Sequence, residues 1–113
     1  MKKIIIYELT NDTYHKCIEC IGNEFTKVDP SGIKTKVCIF ADKISSIRQD
    51  DMSNLKISTD NQEYLYKYVP KHFGFTAIDK IIDFIDASTF PHQTLYLAIN
   101  VTNGSIVELD WRL

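Results

Sequence analysis

The sequence predicts an α+β fold: a mainly antiparallel sheet with two helices packed on it and a C-terminal β-hairpin, in the order β-α-β-β-β-β-β-α-β-β. Segments with strand-like apolar patterns outnumber those with helical spacing. The chain also holds 16 Ile and only 4 Ala, a composition that favours strands over helices. Residues typical of tight turns separate neighbouring strand segments, which is the pattern of antiparallel hairpins.

The N-terminal region predicts a strand followed by a short helix. The strand covers 2–9, and its three consecutive Ile at 4–6 indicate that both faces are covered, as in a central strand. The helix covers 11–21, where apolar residues recur at i, i+3, i+4 and i+7. Gly22 stands where a left-handed C-terminal cap is expected.

The middle of the chain predicts consecutive strands. Asp29, Pro30 and Gly32 occupy the positions that a type I turn prefers. Pro70 ends a strand because proline cannot donate a ladder hydrogen bond. The predicted segments are a hairpin over 25–40, a strand over 43–48, and a second hairpin formed by 55–58 and 63–69.

The second helix is predicted to run from Thr76, as its N-cap, to Ala87, with Pro91 just beyond its end. Four isoleucines recur at helical spacing and predict the buried stripe of this helix. They are Ile78, Ile81, Ile82 and Ile85.

The C-terminal segment predicts a hairpin in which two alternating apolar sets flank a turn. A two-residue turn would place the two sets on opposite faces, whereas a three-residue loop over 102–104 aligns them on one face. We therefore predict a type I turn with a glycine bulge and a left-handed Gly104. The aligned set is Leu95, Leu97, Ile99, Val101, Val107, Leu109 and Trp111, and the other face carries Tyr96, Asn100, Glu108, Asp110 and Arg112.

Length and composition predict one domain over 1–113, in the cytoplasm. The formal net charge is −2. No apolar run approaches the roughly 20 residues that a membrane-spanning helix needs, so we expect no membrane partner. Three cysteines do not make a disulfide framework, which favours a reducing compartment. The chain has only 2 Arg and lacks a basic excess, so we expect no direct nucleic-acid partner.

Three aspartates of the second helix, Asp79, Asp83 and Asp86, recur at i, i+4 and i+7, opposite the predicted Ile stripe. One interpretation is an ordinary solvated helix face. The other is an acidic surface complementary to a basic protein partner. Glu108 and Asp110 on the hairpin, and the loop at 50–51, would extend that surface.

Tyr64, Tyr66 and Tyr68 alternate along the predicted strand over 63–69 and would therefore share one face. An exposed row of tyrosines would anchor a protein partner or stack on bases. The alternative is that the row packs in the core, with its hydroxyl groups at the rim.

Cys17 and Cys20 form a CxxC pair, and cysteines at i, i+3 on a helix supply two ligands of many zinc sites. Cys38 and one histidine would complete the set, the candidates being His15, His72 and His92. The strand over 2–9 followed by this pair resembles the opening of a thioredoxin-fold protein, which implies thiol redox chemistry. In that family the pair begins the helix, whereas Cys17 lies about one turn inside the predicted helix. The remaining interpretation is that both thiols are structural.

The chain has no Walker loop, GxGxxG, GxSxG, HExxH or EF-hand motif. We therefore expect a protein-binding module without catalytic activity and without a cofactor. The specific expectation is a small bacterial immunity protein whose acidic, tyrosine-bearing surface occludes the active site of a basic toxin such as a nuclease. The alternatives are a thiol-redox or zinc protein that uses Cys17 and Cys20, and a homo-oligomer that pairs an exposed edge strand or the tyrosine row.

Overall fold

The computed structural model describes residues 2–19, 35–87 and 94–109, and the α+β class is confirmed. The elements of these residues are β1 (Lys3–Leu9), α1 (Asn11–Glu19), β2 (Lys36–Phe40), a 3₁₀ turn (Ala41–Lys43), β3 (Ile44–Gln49), β4 (Leu55–Thr59), β5 (Glu63–Tyr66), α2 (Lys71–Asp86), β6 (Thr94–Asn100) and β7 (Ile106–Leu109). The first strand and the turn of the hairpin predicted over 25–40 lie outside the described residues, as do Gly22 and Pro91.

The described strands form two sheets, and the mainly antiparallel pairing that the sequence predicts is confirmed. In the first sheet the order is β2-β1-β6-β7, which confirms the central position predicted for β1. β1 pairs with β6 in parallel, with Ile4 opposite Leu95, and with β2 antiparallel. The second sheet is antiparallel, in the order β3-β4-β5. Turn patterns identify pairs of consecutive strands, but they do not show where a long connection returns the chain.

The main core fills the space between the two sheets and α2. Ile4 of β1, Ile57 of β4, and Ile81 and Phe84 of α2 are among its fully buried side chains. Burial of a side chain of this size contributes about 1.5–3 kcal/mol. Since α2 contacts both β3 and β7, it closes one side of the space between the sheets.

Lys2 holds the C-terminal end of α2 against the start of β1. Its Nζ donates to the carbonyl oxygens of Phe84 at 2.7 Å and Ile85 at 3.3 Å, and also to that of Ala87. The last carbonyls of a helix lack partners within the helix and carry partial negative charge. The ammonium group therefore caps α2 from a residue more than 80 positions away in the chain.

A second apolar cluster covers the other face of the first sheet, beneath α1. Its buried members are Tyr7, Leu9, Tyr14, Ala98 and Leu109. The rings of Tyr7 and Tyr96 stack there, with centroids 6.4 Å apart. Both faces of the first sheet are therefore covered, as the Ile run of β1 predicts.

Helix α2 begins at Lys71, five residues before the predicted start. The carbonyl oxygen of Pro70 accepts its first helical hydrogen bond from the Gly74 N–H at 3.0 Å. The Thr76 hydroxyl donates back to the His72 carbonyl at 2.8 Å, so Thr76 is an interior residue and not a cap. Within the described residues, no helix is long and apolar enough to cross a membrane.

The earlier start of α2 places a different set of residues in the core from the predicted Ile stripe. The buried residues are Gly74, Ala77, Ile81 and Phe84, while Ile78 and Ile85 pack at the edges of the core. Ile82, predicted to be buried, is 42 % exposed. The prediction for Ile82 is therefore wrong, because the buried stripe is centred near Ile81 and includes a glycine that pattern reasoning leaves out.

The C-terminal hairpin contains the predicted left-handed Gly104, with φ of 79°, but its loop is one residue longer than predicted. Ser105 pairs with Asn100 through the Asn100 N–H, and the loop covers 101–104. Ile99 therefore lies opposite Ile106, and Tyr96 lies opposite Leu109. The predicted face assignment of Val107 and Leu109 is wrong, because both faces of this sheet are buried and either register satisfies the apolar pattern. Trp111 and Arg112 lie outside the described residues.

Candidate protein-interaction surface

The outward side of α2 carries the three aspartates that the sequence singles out. Asp79, Asp83 and Asp86 are all exposed, and they lie opposite the buried stripe centred on Ile81. Successive residues of a helix are about 100° apart, so these three carboxylates fall within a narrow sector of the surface. The structure therefore contains the acidic stripe that the sequence predicts.

Two large apolar side chains share this sector. Phe75 is 57 % exposed and Ile82 is 42 % exposed. Together with Asp79 and Asp86 they follow the spacing i, i+4, i+7 and i+11, which lines them up along the helix. We call Phe75, Asp79, Ile82, Asp83 and Asp86 the α2 outer face. Sequence reasoning misses its apolar members, because Phe75 precedes the predicted helix start and Ile82 is assigned to the core.

Glu108 lies beside α2 and not on the far side of the hairpin. It is paired in register with Leu97 of the main core, so it projects from the sheet face that α2 covers. Its Oε2 accepts a hydrogen bond from Lys80 Nζ at 3.0 Å. This ion pair offsets the charge of Lys80, the basic residue next to Asp79, and leaves the α2 outer face acidic. Asp110 lies outside the described residues.

The three tyrosines predicted as one row are placed in three different environments. Tyr66 is 6 % exposed and belongs to the main core. Its hydroxyl group is buried and has no hydrogen-bond partner among residues 2–19, 35–87 and 94–109, and burial raises its pKa above the ordinary range. Tyr64 is half-buried, and its hydroxyl donates to Gln62 Oε1 at 3.2 Å. An exposed row is therefore not formed, and Tyr66 is not available to a partner.

Tyr68 lies beyond the end of β5, in a turn, and is 73 % exposed. The predicted alternation fails here because the strand ends at Tyr66 instead of continuing to Val69. Val69 is fully buried, and its N–H donates to the Ser53 carbonyl at 2.8 Å. Met52, 70 % exposed, therefore lies in the adjacent turn. We call Met52 and Tyr68 the turn pair.

The carboxylate of Asp50 is used within the 50–54 turn. Its oxygens accept hydrogen bonds from the N–H groups of Met52 at 2.9 Å and Asn54 at 3.0 Å, and Lys56 Nζ lies 3.3 Å away. These interactions, led by the Asn54 N–H, lower the pKa of Asp50 to about 2. Of the two acidic residues in this loop, Asp51 is the one left exposed.

Several residues of the zinc or thiol-redox site that the sequence suggests lie outside the described part of the chain. Cys17 belongs to the last turn of α1, and Cys20 and His92 are not described. Cys38 is an exposed free thiol opposite Ile5, on the sheet face that α2 does not cover. His15 lies on α1 and His72 on α2, on opposite sides of the first sheet. Among the described residues, no three His, Cys, Asp or Glu side chains group in a way that would hold a metal.

Fold and surface together define a small α+β protein with one acidic, partly apolar helix face and an exposed aromatic turn at the start of that helix. No family model, no curated protein and no solved structure matches the chain.

Proposed function

We propose that this chain is a non-catalytic inhibitor of the immunity-protein type, which binds a basic toxin, such as a nuclease, and occludes its active site. The observation that carries the proposal is the composition of the α2 outer face. Three aspartates lie next to two exposed apolar side chains, and Lys80, the residue after Asp79, is paired with Glu108. A face of this kind offers both charge and apolar area to a partner.

The carboxylates suit the cleft of an enzyme that binds nucleic acid. Such a cleft is lined with Lys and Arg that contact phosphates. A row of carboxylates presents negative charge to the same side chains and attracts the partner from a distance, which raises the association rate. The aspartates are therefore expected to act mainly on association.

The apolar residues of the α2 outer face are expected to supply the binding free energy that the charged residues do not. Exposed ion pairs contribute little once salt screens them. Burial of Phe75 and Ile82 against a partner removes apolar area from water and slows dissociation.

The test begins with the native mass of the protein purified gently from the cells that produce it. A one-to-one complex with a larger, basic protein is expected, and the activity of that protein should be inhibited in the complex. The protein alone, a self-assembly, or a chain carrying zinc or a Cys17–Cys20 disulfide would contradict the proposal and favour the alternatives.

A charge-matched pair of variants then tests the face itself. The triple change Asp79→Asn, Asp83→Asn and Asp86→Asn is expected to slow association with the isolated partner by about 10- to 100-fold at low salt. The control changes three exposed aspartates on other elements, Asp12, Asp42 and Asp60, to Asn and alters net charge equally. Equal association rates for the two triple variants would show that the α2 outer face is not the contact.

A further inference from the structure

Tyr68 occupies a backbone conformation that its own side chain disfavours. Its φ is 58°, in the left-handed region that glycine adopts readily and that bulky residues rarely adopt. Such strain persists only where the surrounding structure imposes it, and it concentrates at functional sites. The question is therefore what holds the backbone of Tyr68 and what its side chain does.

The surroundings of Tyr68 fix its backbone from several sides. The N–H of Val69 donates to Ser53, and the carbonyl of Val69 accepts from Gln49 Nε2 at 2.7 Å. Gly104 packs so closely that a Cβ there would lie 2.7 Å from the Tyr68 carbonyl oxygen. Pro70 follows as the N-cap of α2. The fold thus requires a left-handed residue at position 68.

The tyrosine side chain of residue 68 is not part of the core that the described residues form. The ring is largely exposed, and within the described residues the hydroxyl of Tyr68 takes part in no hydrogen bond. Glycine would satisfy the same backbone without strain. A large aromatic ring instead projects from a turn whose neighbours fix its backbone, and exposed Met52 lies in the adjacent turn. A backbone that is fixed in this way loses little conformational freedom on binding, and tyrosine is enriched among the residues that dominate interfaces.

We propose that Tyr68, together with Met52 of the adjacent turn, is the anchor of the interface and inserts into an apolar pocket of the same basic protein that the α2 outer face attracts. This inference rests on the proposed function. The turn pair lies at the N-terminal end of α2, a helix of 16 residues that is about 24 Å long. An interface of standard size, about 800 Å² per partner, is roughly 30 Å across, which exceeds the length of α2. Aspartates then steer the encounter, and Tyr68 slows dissociation.

Site-specific photo-crosslinking in the producing cells tests this placement. A benzophenone amino acid is introduced at position 68, at position 79, or at position 61, which is exposed at the far end of the β4–β5 hairpin. Positions 68 and 79 are expected to capture the same basic protein, identified by mass spectrometry, and position 61 is not. Capture from 79 alone would overturn the anchor and leave the proposed function standing. Capture of a second copy of this chain, or of nothing from either position, would overturn both.

A binding measurement with the purified partner separates anchoring from a structural role. Tyr68→Gly is expected to weaken binding by about 30-fold or more, chiefly through faster dissociation, while its melting temperature stays equal to or above that of the parent protein. Leu65→Ala, which removes another exposed apolar side chain, is the control and should bind normally. Unchanged dissociation of Tyr68→Gly, or weaker binding accompanied by a lower melting temperature, would overturn the anchor.

Discussion

The turns 67–70 and 101–104 contact each other, and each contains a residue with left-handed backbone angles. That residue is a tyrosine in the first turn and a glycine in the second. Gly104 is buried and has no room for a side chain, since a Cβ would lie 2.7 Å from both the Tyr68 carbonyl oxygen and the Val69 Cα. Tyr68 has nearly free space around its ring. The glycine at 104 is explained by a packing constraint, whereas the packing around Tyr68 does not require its ring.

The largest effect is expected from Gly104→Ala, which breaks the contact between the turns. The new Cβ meets backbone atoms and the Pro70 ring, and φ of 79° is unfavourable for alanine. We expect a loss of about 3 kcal/mol in the free energy of unfolding, measured by urea denaturation. Thr102→Ala, at an exposed position of the same loop, is the control. A loss below about 1 kcal/mol would mean that the turns separate easily.

The next effect concerns how the 101–104 turn is held. Asn100 is fully buried, its Nδ2 donates to Asn11 Oδ1 at 2.9 Å, and its Oδ1 accepts from the Thr102 N–H at 2.9 Å. Asn100→Ala leaves both partners without these bonds and is expected to cost about 2 kcal/mol. Asn11→Ala removes one of the three hydrogen bonds of the Asn100 side chain, at an exposed residue, and should cost clearly less by the same denaturation measurement. Equal losses of stability in the two variants would show that Asn100 stabilises the fold only through its hydrogen bond to Asn11 of α1.

The smallest expected effect on stability concerns Asp50 in a third turn, 50–54, which contains Met52. The pKa of Asp50 falls from an ordinary 3.8 to about 2 in the folded protein, so its ionised form stabilises the fold. That contribution is fully present above about pH 4 and is lost as the pH falls through about 2. The stability difference between the parent protein and Asp50→Asn should therefore shrink across this range. Asp51→Asn is the charge-matched control, and a difference independent of pH would contradict the assignment.

Local patterns in the sequence were sufficient for β1, for Gly104 and for the acidic stripe. Three consecutive isoleucines require cover on both faces, and a turn after alternating strands requires a left-handed residue, whichever fold contains them. The aspartates of α2 were predicted correctly as an exposed stripe because the inward face of this helix is strongly apolar. These features depend on periodicity alone.

The features that the sequence did not reveal depend on contacts between distant segments. Gly74 looks unsuited to a helix, yet it lies within α2, where the Gln49 side chain occupies the space that a Cβ would take. The strand containing Tyr64 and Tyr66 ends early because Val69 bonds to Ser53 and is buried. Tyr68 therefore leaves the predicted row and becomes the most exposed tyrosine among the described residues. An alternating pattern cannot report such an interruption.

The parallel pairing of β1 with β6 also has a consequence for biosynthesis. Ile4 meets Leu95, so the strand made first lacks this neighbour until roughly 90 more residues have been added. At about 5–20 residues per second, the ribosome needs several seconds to make them. During that interval the apolar segment at 4–7 lacks its parallel neighbour, and the charged residues Lys2, Lys3 and Glu8 that flank it are of the kind that limit pairing with other chains. Chains interrupted before β6 is complete keep that edge of β1 unpaired, and they are expected to be held by chaperones or degraded.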